Sequence, residues 1–214
     1  MKGFKEVPYS NLAHLYLVAN GFYNNYEDIK KKIEETKGQI SYDSPIPVAA
    51  TNAFFAIELY LKLVYSLDYW EKAQACLDSP TNVTQYPNEH GLGTLFDMLD
   101  EASKCKILKL VSLNEKLTSK KFKDILDENK DGFIEWRYIF EKKDSCCVNF
   151  QSLSEVLEVL RSYCYYCMDH IYRPKAEWVE NSPHTSATME ERPIATKEDL
   201  EKLLGNIETA ENSV

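Results

Sequence analysis

The feature that most constrains this fold is a long apolar stretch with two opposite charges near its middle. Most residues from Ala49 to Leu67 are apolar, yet Glu58 and Lys62 interrupt the run four positions apart. A helix that spans a bilayer needs roughly 20 residues that are almost uncharged, so this stretch is better explained as the central helix of a protein core. Residues four apart share one helix face, and a buried charge needs a partner, so the two side chains are expected to pair.

Helical periodicity also accounts for most of the chain on either side of this stretch. Apolar residues recur at steps of three and four, and prolines and glycines separate the periodic segments. The predicted helices span about residues 10–38, 48–77, 90–102, 108–126 and 150–172, and the helix at 108–126 could be interrupted. No alternating strand pattern of note is present. The sequence therefore predicts an all-α fold, an antiparallel bundle of four to six helices within residues 1–173.

Residues 174–214 differ from the bundle in composition. They hold nine acidic and four basic residues, which is −5 of the net charge of −9. Polar, acidic, proline-containing sequence of this kind predicts a largely mobile acidic C-terminal tail. Within it, residues 200–207 form an apolar stripe that indicates a short amphipathic helix near 196–208. Such a short helix is marginal alone in water, so the stripe is expected to dock on the bundle, another copy or a partner.

Composition places the chain among soluble globular proteins, with 44% apolar and 28% charged residues. The first residues lack the apolar run and cleavage site of a secretory signal, so we expect a cytoplasmic protein with no membrane partner. Its six cysteines are then expected to be thiols rather than disulfides. Cys164 and Cys167 share a helix face that could hold a metal ion, but buried thiols are the favoured interpretation of this pair. No phosphate loop, nucleophile elbow or dinucleotide fingerprint occurs, so we expect no cofactor.

Two interpretations of the charged pair remain open at this stage. Glu58 and Lys62 could form an ion pair on a surface stripe of the bundle, or they could belong to a buried charged cluster that Arg137 joins. The second interpretation is favoured because Arg137 is also flanked by large apolar residues, in the segment Glu135-Trp136-Arg137-Tyr138. The purpose of such a cluster could still be structural.

Three short segments follow one another along the chain in a characteristic order. They are Ala56-Ile57-Glu58-Leu59-Tyr60-Leu61-Lys62, His90-Gly91-Leu92 with Leu95-Phe96, and Phe133-Ile134-Glu135-Trp136-Arg137-Tyr138. Together they resemble the HEPN superfamily of small helical-bundle proteins, over roughly residues 8–173. The resemblance implies an up-and-down bundle that often dimerises. It also implies roles in RNA cleavage or RNA binding within toxin–antitoxin, abortive-infection and other antiviral systems.

The catalytic motif implied by the resemblance is incomplete. Active nucleases of the family carry an Arg followed, after four to six residues, by a His, whereas residues 142–144 after Arg137 read Lys-Lys-Asp. Arg137 can stabilise charge at phosphorus, but the motif contains no residue that clearly acts as the general acid or base. His90 is a candidate acid or base, or it caps the start of the third helix. The centre is therefore expected to be degenerate or unusual. The candidate catalytic residues are Glu58, Lys62, His90 and Arg137.

A second motif lies in residues 127–138, which match part of an EF-hand calcium loop. The matching positions are carboxylate and amide oxygen donors around the turn residue Gly132. The twelfth position is Tyr138 instead of a bidentate Glu, and Asp, Asn and Gly also form ordinary turns, so a turn is favoured over a calcium site. The candidate calcium ligands are Asp127, Asn129, Asp131 and Glu135.

These observations lead to hypotheses from different functional classes. The first is a HEPN-like antiviral-defence (abortive infection) or toxin-type protein that binds or cleaves RNA as a homodimer, with any cleavage independent of metal. The alternative is a non-catalytic protein–protein interaction or regulatory module that binds its partner through the bundle or the stripe at residues 200–207. A calcium-binding helical protein is the third.

Overall fold

The computed structural model describes residues 3–36, 45–76, 82–129, 132 and 149–172, with side chains as far as Met168. These residues are mostly helical, which confirms the predicted all-α class. The predicted tail, with its stripe at residues 200–207, lies outside the described residues. The elements, in chain order, are β1 (Phe4–Pro8), α1 (Asn11–Glu35), α2 (Ile46–Cys76), β2 (Val83–Pro87), α3 (Leu92–Asp97), α4 (Glu101–Leu113), α5 (Ser119–Glu128) and α6 (Phe150–Tyr172).

Helices α1 and α2 pack side by side and run in opposite directions. The Tyr60 hydroxyl donates to the Asn20 side-chain oxygen at 2.7 Å. Further along the pair, the rings of Phe22 and Phe55 meet edge to face with centroids 4.5 Å apart. Contacts that advance along α1 while receding along α2 define an antiparallel pair, and aromatic contacts of this geometry add to the apolar burial that holds it.

Helix α6 also runs antiparallel to α1. The Tyr26 hydroxyl donates to the Phe150 carbonyl oxygen at 2.8 Å, while the Arg161 guanidinium lies 4.5 Å from the Tyr23 ring centroid. Because α2 and α6 both oppose α1, they run parallel to each other. The bundle is therefore antiparallel for the two helix pairs that include α1.

Helix α2 is the centre of the core, as its sequence predicts. Apolar side chains occur around most of its circumference, so neighbouring elements can bury it on several sides. The helix is long and apolar enough to cross a membrane by composition alone, but 67% of its most apolar window is buried inside the protein. This burial is typical of the core helix of a soluble protein. Its fully buried side chains include Ala53, Phe54, Ala56, Ile57, Tyr60, Leu61 and Leu63.

Strands β1 and β2 form a small antiparallel sheet that the sequence analysis did not predict. Phe4 lies opposite Pro87, and Pro8 lies opposite Val83. The Thr84 hydroxyl donates to the Ser66 carbonyl oxygen of α2, which anchors the sheet on the central helix. Each strand has only five residues and its partner is about 80 residues away, so periodicity within one window carries little information about the pairing.

Two predicted helices are interrupted in the structure. The predicted helix at residues 90–102 divides into α3 and α4, because the N–H of Asp100 donates to the Asp68 carboxylate at 2.9 Å. The next predicted helix is also broken, where the Thr118 hydroxyl accepts from the N–H of Lys121 and starts α5 as an N-cap. In both places a side chain satisfies a backbone group that a continuous helix would have bonded internally.

Candidate functional site

The two charges of α2 form a buried ion pair. Lys62 Nζ lies 2.8 Å from Glu58 Oε1, and the two side chains are only 3% and 2% exposed. Their spacing on one helix face explains the contact, and the elements packed over that face explain the burial. The pair is therefore not on a surface stripe of the bundle, whereas the predicted participation of Arg137 stays a prediction because Arg137 lies outside the described residues. Moving both charges out of water carries a desolvation cost that close contact between them offsets.

His90 joins this pair from the loop between β2 and α3. Its Nδ1 lies 2.9 Å from Glu58 Oε1, while 60% of the His90 side chain is exposed. The backbone N–H groups of His90 and Gly91 both donate to the Glu89 carboxylate, each at 3.0 Å. The Glu89 carboxylate therefore accepts from two backbone N–H groups just before α3. The His90 ring makes none of these contacts, and it lies between the buried Glu58 carboxylate and the protein surface.

Tyr86 of β2 covers the lysine of the pair. Lys62 Nζ lies 5.0 Å from the Tyr86 ring centroid, a cation–π contact. Burial, followed by the charge of Glu58, raises the pKa of Tyr86 to about 12. We call Glu58, Lys62, Tyr86 and His90 the Glu58 cluster. Lys5 of β1 is exposed and lies directly opposite Tyr86 in the sheet, so the two side chains share a face.

Sequence reasoning missed Tyr86 and Lys5. The pairing of β1 with β2 places Lys5 opposite Tyr86, and neither strand has an alternating pattern that predicts this pairing. The available signals were the aromatic residue in Val83-Thr84-Gln85-Tyr86-Pro87 and the nearness of that segment to His90 in the chain. These features are equally typical of a loop.

The hydrogen bonds of the cluster define what its histidine can do. Glu58 Oε1 contacts both Lys62 Nζ and His90 Nδ1, whereas the buried Oε2 has no hydrogen bond within the described residues. When His90 donates its Nδ1 proton to the carboxylate, the lone pair of Nε2 is free to accept a proton. Carboxylate–imidazole pairs of this geometry orient a general base. The Glu58 cluster can therefore exchange a proton with a molecule bound at the surface.

Arg137, the fourth predicted residue of the cluster, lies outside the described residues. Gly132, five positions earlier, is described and packs closely on α2. A Cβ added to Gly132 would lie 2.8 Å from ring atoms of Phe54, and Phe54 precedes Glu58 by about one helical turn. The catalytic role predicted for Arg137, Glu58, Lys62 and His90 stays a prediction.

Two of the four candidate calcium ligands are engaged in contacts with the protein. Asp127 accepts from Lys123 Nζ at 2.9 Å, and the Asn129 side-chain amide donates to the Ile125 carbonyl oxygen at 2.8 Å near the end of α5. Asp131 and Glu135 lie outside the described residues. In the part of the chain that the structure describes, no three His, Cys, Asp or Glu side chains are grouped so as to hold a metal ion. Calcium binding therefore stays an untested prediction.

A second polar region lies in a cavity of about 360 Å³ between α2, α4 and α6. The Ser103 hydroxyl donates to the Asp68 carboxylate at 2.6 Å, and burial raises the pKa of Asp68. Burial also raises the pKa of the Cys167 thiol to about 12, while the Cys164 thiol lies 3.7 Å from the Tyr60 carbonyl oxygen. Thiols with a raised pKa are poor nucleophiles and poor metal ligands, and of the two only Cys164 is fully buried, whereas Cys167 is half-buried.

No protein-family model, curated protein or solved structure matches this chain. The resemblance to HEPN proteins therefore stays a prediction from short segments of sequence. The geometry of the Glu58 cluster is what bears on function.

Proposed function

We propose that this chain is a HEPN-like helical-bundle protein of the defence or toxin type that acts on RNA, with His90 as its proton-transfer group. Glu58 is a positioning residue that orients the His90 ring, and Lys62 neutralises Glu58 inside the core. The proposal includes the homodimer that the resemblance implies and the cytoplasmic location expected from the sequence. It replaces the missing histidine of the family motif with one from the loop before α3.

The observation that carries this proposal is the contact between a surface imidazole and a buried carboxylate. His90 Nδ1 lies 2.9 Å from Glu58 Oε1, and the His90 side chain is 60% exposed while that of Glu58 is 2% exposed. An exposed histidine with a purely solvating role needs no buried anion beneath it. Perturbed or unusually placed charges near a surface are frequent at functional sites, and a fixed ring is what general base catalysis requires.

The chemistry that fits this arrangement is metal-independent cleavage of RNA. His90 Nε2 removes the proton of a ribose 2′-hydroxyl, the 2′-oxygen attacks the adjacent phosphorus, and the bond to the 5′-oxygen breaks. The imidazolium returns the proton to the departing 5′-oxygen, directly or through water. The products are a 2′,3′-cyclic phosphate and a 5′-hydroxyl, and no external oxidant or reductant is needed.

Charge at the phosphate needs a cation near the histidine. Lys5 is exposed on the face of the sheet that carries Tyr86, whose ring contacts Lys62 in the same cluster as His90. A lysine in this place can contact a phosphate oxygen as a point charge. Arg137 remains the predicted donor to the developing negative charge. The body of the chain is nearly charge-balanced, so we expect RNA binding to depend on these few cations. With so few phosphate contacts, the affinity should weaken only modestly as the salt concentration rises.

The proposal is tested with purified full-length protein, total RNA and tRNA, in buffer that contains a metal chelator. The informative variant is His90→Ala, because its largely exposed side chain can be removed with little loss of packing. The matched control is His14→Ala, an exposed histidine on α1 away from the cluster. Arg137→Ala tests the predicted phosphate contact. Cleavage is followed by gel electrophoresis, and the ends of the products are identified by their susceptibility to phosphatase.

We expect the wild type and His14→Ala to release products with cyclic phosphate ends, and His90→Ala to lose about 100-fold or more of that rate. Loss of activity in Arg137→Ala as well would place both groups in one centre. If His90→Ala cleaves as fast as His14→Ala, His90 is not the proton-transfer group. If the wild type neither cleaves nor retards RNA in a gel-shift assay, the proposed function is wrong.

A further inference from the structure

A groove on another side of the bundle has features of a protein-binding surface. It encloses about 570 Å³ between the second half of α1, the end of α4 and the first half of α6. Its apolar part includes Leu110, Phe150 and Val159, and it continues outward to Leu113, which is 51% exposed. A large apolar side chain in this position loses contact with water only when something lies over it, and concave apolar surfaces are preferred binding sites.

The charged groups around this groove are mainly acidic. Four carboxylates line it but only two lysines do. One of these lysines, Lys30, already contacts Glu27 at 3.8 Å and donates to the Ser154 hydroxyl at 2.8 Å. The groove therefore has an excess of negative charge, which repels RNA and attracts cationic groups. The lining carboxylates are Glu34, Glu115, Glu155 and Glu158.

Two neighbouring carboxylates on α6, Glu155 and Glu158, differ in their burial and in their contacts. Glu155 is nearly buried, and Lys121 Nζ and the Gln151 amide both contact it, at 3.4 and 3.1 Å. Glu158, nearly one turn further along, is only half-buried and makes no hydrogen bond or ion pair within the described residues. Burial, followed by the charge of Glu27, raises its pKa. The charges of Lys30 and Lys116 lower that pKa only in part. Among the described residues, no cation contacts Glu158 directly, although it lies at an apolar groove.

The shape of the groove suits a short helix. Its lining extends along α6 from Phe150 to Ser162, about three turns or about 18 Å. An amphipathic helix of about 12 residues has this length and binds grooves of this kind through apolar residues at helical spacing. The chain's own predicted helix at residues 196–208 carries four acidic and two basic residues, a net charge of −2. Like charges disfavour it as the occupant.

We propose that this groove docks an amphipathic helical segment of another protein, with leucine-like side chains over Leu113 and Val159 and a lysine or arginine paired with Glu158. The partner is therefore a basic, apolar-faced peptide segment. This site uses helices α1, α4 and α6, whereas the Glu58 cluster uses α2, β2 and the loop before α3. The docking proposal is thus independent of the proposed action on RNA.

The probe is a synthetic helical peptide of about 12 residues with leucine on one face and lysine on the other, labelled for fluorescence anisotropy. Two comparison peptides have glutamate in place of lysine, or serine in place of leucine. The full-length protein is compared with Glu158→Gln and with Leu113→Lys. Their matched controls are Glu101→Gln and Leu17→Lys, which change an exposed glutamate on α4 and an exposed leucine on α1 outside the groove.

We expect the leucine–lysine peptide to bind the wild type and both controls alike, and to bind Glu158→Gln and Leu113→Lys about tenfold more weakly. Both comparison peptides should bind at least about tenfold more weakly than the probe. Equal affinity of all five proteins for the probe would overturn the proposal, because Glu158 and Leu113 would then not contact the peptide. Equal weakening in the two groove variants and the two controls would also overturn it, because net charge alone would then attract the peptide.

Discussion

Replacement of Lys62 by methionine is the sharpest test of how the core tolerates its buried charges. Methionine keeps a long, flexible side chain in place of the lysine stem but removes the ammonium group. Glu58 would then remain only 2% exposed, without the cation that lies 2.8 Å from its Oε1. Its Oε2 already lacks a hydrogen bond within the described residues. Of the two groups that contact Glu58 Oε1, only the His90 ring at the surface would then remain.

The expected loss follows from the burial of the pair. Removal of one partner from a buried ion pair typically costs about 3–5 kcal/mol, because the other charge stays desolvated. The contact between His90 Nδ1 and Glu58 Oε1 retains part of the stabilisation, so we expect a loss near the lower limit, about 3 kcal/mol. A second substitution, Glu58→Met, removes the stranded charge. The double variant should therefore regain most of the stability that Lys62→Met loses.

The free energy of unfolding is measured by urea denaturation followed by circular dichroism, with a check that the slope against urea is unchanged. The matched control is Lys104→Met, which breaks the contact of Lys104 with Glu101, a side chain that is 87% exposed. Exposed pairs contribute about 1 kcal/mol or less. If Lys62→Met costs no more than Lys104→Met, or if the double variant is as unstable as the single one, the account of a desolvated, mutually dependent pair is refuted.

Two further predictions concern the surroundings of the cluster. Gly132→Ala should cost about 1–3 kcal/mol, because the added Cβ would lie 2.8 Å from the Phe54 ring. Gly21→Ala, in the middle of α1 with open space at its Cβ, should instead stabilise by up to about 1 kcal/mol; urea denaturation compares the two, and equal effects would contradict the close packing of Gly132. The pKa of Tyr86 is raised from 10.0 to about 12, so its hydroxyl contributes stability below pH 10 that is lost as the pH rises through 12. Over this range Tyr86→Phe should lose less stability than the wild type, and an identical loss would show that Tyr86 ionises freely.

Local patterns in the sequence were sufficient for the parts of the structure that depend on neighbours in the chain. Helix α2 has apolar residues around most of its circumference, and this alone predicts that it is central. Glu58 and Lys62 are four residues apart on that helix, so their contact follows from helix geometry. The break before α4 was missed, and the sequence indicated only that the helix at residues 108–126 could be interrupted, because both breaks depend on side chains that compete for backbone groups. One of these, Asp68, is more than 30 residues from the N–H that it binds.

The remainder of the site depends on contacts between distant segments. His90 meets Glu58 across 32 positions of sequence, and Tyr86 is placed by a strand whose partner is near the start of the chain. No periodicity within a window of 11–18 residues encodes such a contact. The resemblance was enough to name His90 as a candidate acid or base. Its contact with a buried carboxylate became apparent only from the tertiary structure.

The pairing of β1 with β2 has a consequence for the order in which the protein can assemble during synthesis. Residues 4–8 leave the ribosome before their partners at residues 83–87, which follow about 80 residues later. At a translation rate of about 5–20 residues per second, the first strand waits roughly 4–16 s. Helices α1 and α2 can meet during that interval, with Glu58 and Lys62 already side by side. Tyr86 and His90 are synthesised afterwards, so the Glu58 cluster is complete only after β2 has paired with β1.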